Sequence, residues 1–296
     1  MRTKWYFGGV LAASLGMLAW AGCGSSSSGP APDTGRSNAI RTGGEGAGAA
    51  ASSSAPKAGG TGWGNLTGTF LYVADPPKLP LLPTGGKDPM ACNPDGIPNE
   101  SLVVDSGTKG IKDVLIFARK VSRINDSYNA TADEKVVFDQ QHCMFKSHVM
   151  PMRVSQTLDI KNSDPVGHNT NIKPPADQPT NPLIPPGGDA SYKFSKQQSS
   201  PVPVSCNIHP WMKAYILPRM NPYAVVTNEQ GKFELTNLPA GEEIEFQLWH
   251  ESSAGNRGVL VIDGLTNAKG RFKKTVEADG SIDLGEIKVP ASAFSL

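Results

Sequence analysis

Residues 204–215 read VSCNIHPWMKAY and space Cys206, His209 and Met212 at three-residue intervals. Three readings compete: ligands of one metal ion, a reactive thiol, or ordinary packing at a strand edge. Thiolate and thioether are soft ligands that favour copper(I), and imidazole serves both copper oxidation states. Zinc fits less well, because structural zinc takes four strong Cys or His ligands and methionine is a poor one. A Cys–His nucleophile needs an imidazole aimed at the sulfur and oriented by a third group; three-residue spacing on one tight loop suits shared coordination better. A trigonal His₂Cys site with a weak axial Met requires a second histidine, and His142, His148, His168 and His250 remain as candidates.

The surrounding sequence is β-like. LTGTFLYVA (66–74) alternates apolar and polar residues, as a half-buried strand does. ESLVVDS, IKDVLIFARK, EKVVFDQQHCMF, MRVSQTLDIKN and ASYKFSK are further short runs bounded by Gly, Pro, Asn and Asp. No segment carries a long helical period. The chain of 296 residues holds 32 Gly and 25 Pro, about a fifth of the whole, which favours strands and turns. An all-β fold of two sandwiches is expected. The net charge of +1 gives nucleic acid no electrostatic footprint to find.

The first residues belong to export. Arg2 and Lys4 precede the apolar run WYFGGVLAASLGMLAWA (5–21), which reads as a signal segment over 1–22. Ala21-Gly22-Cys23 resembles the lipobox of bacterial lipoproteins, with Trp20 where leucine is usual. That resemblance implies lipidation of Cys23, a membrane anchor, and a periplasmic, outer-membrane or cell-surface location. Residues 23–62, rich in Ser, Gly and Ala, can bury almost no apolar surface and read as a flexible tether.

The turn NSDPVGHNTNI (162–172) leaves the strand-like run ending at Asn162 and carries His168. The pair GHN and CxxHPxM resembles the copper motifs of cupredoxins, the small blue copper proteins, with a Cys-to-Met loop most like that of amicyanin. The resemblance covers roughly residues 100–222. It implies a Greek-key sandwich over 63–221 and one type 1 copper held by His168, Cys206, His209 and Met212. It further implies that Asn169 braces the two ligand loops, that Pro210 fixes the backbone after His209, and that Trp211 lies at an apolar patch for electron exchange. A copper thiolate must stay out of a disulfide. With Cys23 lipidated, Cys92 and Cys143 are left to pair in the oxidising exported setting.

VVTNEQGKFELTNLPAGEEIEFQLWHE (225–251) resembles the transthyretin-like, carboxypeptidase-regulatory-like β domains. These are often classed with carbohydrate-binding-like folds. A second sandwich is thus expected over 222–296, with IKDVLIFARK as a strand it could borrow across a discontinuous boundary. The expected function is an exported, non-enzymatic copper electron carrier with a redox partner protein. The alternatives are a copper-binding or storage protein, or a surface lipoprotein that binds glycans.

Overall fold

The computed structural model describes residues 60–296 apart from Asn93. The expected signal segment, Cys23 and the expected tether up to residue 59 lie outside the described residues. The described chain is all-β: five sheets, with only three single-turn 3-10 segments between strands.

Two sandwiches account for four of the sheets. In the first, Trp63–Tyr72 pairs antiparallel with Lys232–Pro239 and parallel with Ser281–Val289. It faces a sheet ordered Ala224–Val226, Leu115–Ala118, Glu243–Trp249, Arg271–Thr275. Their shared core includes Leu66, Phe70, Ile116, Tyr223, Phe246 and Leu248. Trp63–Tyr72 alternates strictly between half-buried and buried residues, so its period of two aims Leu66, Phe70 and Tyr72 at that core.

The second sandwich positions the CxxHPxM loop. Its outer sheet runs Asp189–Tyr192, Thr157–Asn162, Lys135–Gln141, Met144–Phe145. Opposite lies Val149–Arg153, Lys213–Arg219, Val202–Ser205, Asn171–Ile172. Phe138, Leu158, Ile160, Val204 and Ile216 meet between them, together with Met150, Met152 and Met212. Burying a Leu, Ile or Phe side chain stabilises by about 1.5–3 kcal/mol each. The fifth sheet, His168–Asn169 with Leu183–Ile184, hangs at one end of this core.

A third cluster joins the sandwiches. Leu115 and Phe117 pack with Val149, Leu217 and Trp249. Leu115–Ala118 is therefore buried on both faces: Ile116 and Ala118 look into the first core, Leu115 and Phe117 into the seam. Arg219 crosses the same seam. Its guanidinium donates to the carbonyls of Gln198 (2.9 Å) and Arg119 (2.6 Å) and sits 5.2 Å from the Phe117 ring.

Several local expectations change. ESLVVDS forms a turn with one bridge, Val104 to Ile111, rather than a strand. MRVSQTLDIKN contributes to two strands in opposing sheets, with a turn over residues 154–156. EKVVFDQQHCMF folds back as a hairpin at His142–Cys143. Trp63–Tyr72 and Leu115–Ala118 precede residue 222 yet pair with strands that follow it, because the first core needs apolar strand faces from both parts of the chain.

Cys92 and Cys143 form the expected disulfide, which ties the Pro-rich segment 74–99 to the hairpin. It closes a loop with a sequence separation of 51, which restricts the unfolded chain. The double variant Cys92→Ser/Cys143→Ser should lose about 2–4 kcal/mol of stability, read from the urea midpoint against the oxidised wild type. An unchanged midpoint would mean that the segment is held by its other contacts.

Candidate metal centre

Ser205 pairs with Lys213 across the strands that flank the loop 206–212. Inside the loop, the Cys206 amide donates to the Met212 carbonyl (3.3 Å) and the Met212 amide to the His209 carbonyl (2.9 Å). Pro210 has no amide hydrogen to offer and fixes its own φ, which suits a tight closure. Cys206, His209 and Met212 are buried, and Cys206 and Met212 lie in the apolar cluster of the second sandwich.

The turn before His168 is built by Asn162. Its side-chain amide donates to the carbonyls of Val166 (2.8 Å), Ile184 (3.1 Å) and Pro185 (3.1 Å), while its oxygen accepts from the Asp164 amide (3.0 Å). Asp164 thereby lies four residues before His168 and accepts from its Nε2 at 2.8 Å. The carboxylate also accepts from the amides of His142 (2.6 Å) and Cys143 (2.8 Å). Those two residues have φ of 57° and 53°. Left-handed backbone at both centres of a two-residue hairpin normally calls for Asn-Gly, and here the disulfide and Asp164 hold it in place.

His209 is tied from the far side by Asp88, whose carboxylate accepts from Nε2 at 2.9 Å. Both rings therefore spend Nε2 on a carboxylate, and both turn Nδ1 inward. The two Nδ1 atoms are 2.9 Å apart, and each is 3.9 Å from the Cys206 sulfur. His168, Cys206 and His209 together offer a buried set of three ligand atoms. A triangle with those sides has a point about 2.1 Å from all three corners, close to metal–nitrogen bonds of about 2.0–2.1 Å and metal–thiolate bonds of about 2.3 Å. Two imidazole lone pairs at 2.9 Å repel unless a cation lies between them, either a proton or a metal ion. The donor set therefore fits a metal.

The electrostatics agree. Burial opposes charge on His168, but its hydrogen bond to Asp164 and the nearby Cys206 sulfur raise its pKa to about 9. Burial pushes the Cys206 thiol up, yet His168 and the backbone N–H groups of Asn169, His209 and Ile208 bring it below its ordinary value. Burial and the His168 charge hold His209 below the usual histidine range, against the pull of Asp88. Without metal, His168 carries a proton at neutral pH, and its Nδ1 lies 2.9 Å from the His209 Nδ1 that can accept it.

Asn169 joins the two ligand segments. Its side-chain oxygen accepts from the amides of Asn207 (2.8 Å) and Ile208 (3.3 Å) and lies 3.5 Å from the Cys206 sulfur. Trp211 is half-buried, its ring 5.1 Å from that of His209, its indole N–H donating to the Cys143 carbonyl at 3.1 Å. His142 is exposed, while His148 and His250 are buried elsewhere. Two functional carboxylates escaped the sequence reading. Asp164 left a faint trace, an acid four residues before a candidate ligand. Asp88 left none, standing 121 residues from His209.

No protein-family model matches the sequence, and no curated protein matches it. Among solved structures, the chain is similar to a Cu-containing nitrite reductase from Thermus scotoductus SA-01 at 21% identity and TM-score 0.27, covering 29% of this chain and 22% of that one. A reduced Cu(I) amicyanin variant is similar at 17% identity and TM-score 0.27 over 35% of this chain and 98% of its own. A purple cupredoxin from Nitrosopumilus maritimus is similar at 16% identity and TM-score 0.25 over 29% of this chain and all of its own. The matched part thus spans about a fifth of the reductase. Likenesses this slight do not bring those proteins' chemistry to this chain; the side chains must carry it.

Two outcomes follow from the geometry. A bound ion replaces the proton between the imidazoles, so at least one proton leaves per ion at neutral pH and affinity falls as pH drops below about 9. Calorimetry in buffers of different ionisation enthalpy reads this number, and a value of zero would contradict the shared proton. Asp164→Asn should weaken metal binding about 10–100-fold, and Asp88→Asn less, because the Asp164 side chain is 3% exposed and that of Asp88 37%. Competition against a chromophoric chelator reads both.

Proposed function

We propose that the chain is an exported copper protein that holds one type 1 copper ion and carries single electrons. The observation behind this reading is the convergence of His168 Nδ1, His209 Nδ1 and the Cys206 sulfur on one buried point. One soft thiolate and two imidazoles, with Met212 buried at the end of the same loop, suit copper better than zinc or a hard cation. Copper supplies a one-electron couple when bound.

The chain's own residues would keep the site rigid during that exchange. Asp164 and Asp88 lock the ring orientations, Asn169 fixes the loop, and the disulfide holds the segment that carries Asp88. Bonds of this kind, made to the outer sides of ligands, tune affinity and potential. Trp211 provides the route outward, since it touches His209 and reaches the surface beside exposed Pro210. A redox partner protein would dock there. Lipid on Cys23 and the tether over 24–62 would hold the folded part near a membrane, in the periplasm or at the cell surface.

A second reading, copper storage without electron transfer, gains from one feature. His209 is fully buried beneath Asp88, which lengthens the path to a partner. Fast self-exchange between oxidised and reduced protein, seen as NMR line broadening, favours the carrier; slow exchange favours storage.

Added Cu(II) should give an intense visible thiolate-to-copper band at one ion per chain. Cys206→Ser should abolish it, and His168→Ala should remove or strongly alter it. A wild-type protein with no such band and no stoichiometric copper would defeat the proposal.

A further inference from the structure

One face of the sheet ordered Ala224–Val226, Leu115–Ala118, Glu243–Trp249, Arg271–Thr275 changes character along its length. Leu115, Phe117 and Trp249 on that face lie in the apolar seam against the second sandwich. Period-two alternation continues the face with Arg119 after Phe117, and with Gln247 and Glu245 before Trp249. Gln247 pairs directly with Arg271 on the edge strand. The face thus turns from apolar to charged beyond the seam. A cleft of about 530 Å³ opens there, lined by Arg119, Arg257, Lys269 and Arg271 and, among the described residues, by no acidic side chain. The segment 193–201 of the second sandwich adds Ser199 and Ser200 to its wall.

The cations of this cleft outnumber their partners. Glu245 serves two of them, its Oε2 lying 3.1 Å from Arg119 Nε and 3.4 Å from Arg271 Nη1. Arg119 also donates to the Gln247 oxygen (2.6 Å), and buried Arg219 donates to the Arg119 carbonyl (2.6 Å), which sets a further positive charge behind the wall. Burial, with Arg271 alongside, lowers the Arg119 pKa against the pull of Glu245. Arg257 and Lys269 are exposed and make no ion pair among the described residues. Arg257 holds a φ of 56°, uncommon for arginine, and its carbonyl accepts from the Trp249 indole at 2.9 Å. That bond fixes the backbone from which its side chain starts.

Four lining cations against one carboxylate call for a ligand with more than one negative charge. Guanidinium forks match phosphate oxygens in two-point contacts. The remaining polar wall describes the rest of the ligand. Ser199, Ser200 and Asn256 can each donate and accept, as hydroxyl groups require, while only Val259 and Ala268 are apolar. The volume falls within the roughly 300–1,000 Å³ of small-molecule sites. We propose that this cleft binds a sugar phosphate, its doubly charged phosphate monoester on the arginines and its hydroxyls against Ser199, Ser200 and Asn256. The cleft shares no residue with the candidate metal centre.

Calorimetric titration of the metal-free full chain with glucose 1-phosphate tests this, and the absence of metal keeps its result separate from the copper reading. One-to-one binding that weakens with added salt is expected. Glucose should show no binding, and inorganic phosphate should bind about tenfold more weakly. Glycerophosphoinositol, a singly charged diester like a lipid headgroup, should also bind about tenfold more weakly, which separates a free sugar phosphate from a membrane source. Arg257→Asn, at an exposed position whose left-handed backbone asparagine accepts, should lose about tenfold in affinity with its thermal midpoint unchanged. Arg119→Gln should lose at least as much. No binding of glucose 1-phosphate, equally tight binding of glucose, inorganic phosphate or the diester, or full affinity in Arg257→Asn would overturn the proposal.

Discussion

Two imidazole nitrogens 2.9 Å apart inside a protein, each with its opposite nitrogen bonded to a carboxylate, form a centre that needs a positive charge. Much of the second sandwich serves to hold that arrangement. Asn162 spends three donor contacts and one acceptor on the turn that delivers Asp164 and His168. Asp164 then fixes the His168 ring and steadies a left-handed hairpin turn that would otherwise be costly, of order 1–3 kcal/mol per residue. That turn contains Cys143, whose disulfide to Cys92 tethers the segment bearing Asp88. The chain of contacts closes on His209. One carboxylate comes from the scaffold and the other from a stapled loop, so the two rings are oriented by different means.

The first sandwich supports this centre from behind. Leu115–Ala118 serves two cores at once, which is why it carries apolar side chains on both faces. Arg219 lies where the strand Lys213–Arg219 ends and satisfies carbonyls on both sides of the seam. Burial, with Arg119 nearby, lowers its pKa to about 10, so it remains charged at neutral pH. A buried cation that donates to backbone carbonyls is costly to remove, because the carbonyls lose their partners. A cavity of about 330 Å³ also opens at the seam, lined by Glu251 from the first sandwich and otherwise by the second sandwich and the segment 82–101.

The alternating strands and the loop 206–212 were legible because their information is local. Period-two patterning marks a strand wherever it pairs, and three ligand types on seven residues announce a site by chemistry alone. His168 was legible only through its likeness to a known motif, since 38 residues separate it from Cys206. The missed features are those that depend on pairing. ESLVVDS has strand composition but finds only one bridge, and MRVSQTLDIKN reads as one run although its halves enter opposing sheets.

By itself the sequence determined an all-β chain and a soft-ligand loop of Cys206, His209 and Met212, because composition and spacing are properties of the chain; the pairing of Cys92 with Cys143 followed only from the resemblances that set Cys23 and Cys206 aside. Tertiary structure alone decided which nitrogen of each histidine faces the sulfur. That choice belongs to Asp164 and Asp88. A ring nitrogen turns inward only when its twin is held from outside, and folding brings the second of those carboxylates, Asp88, from a segment stapled close by at Cys92.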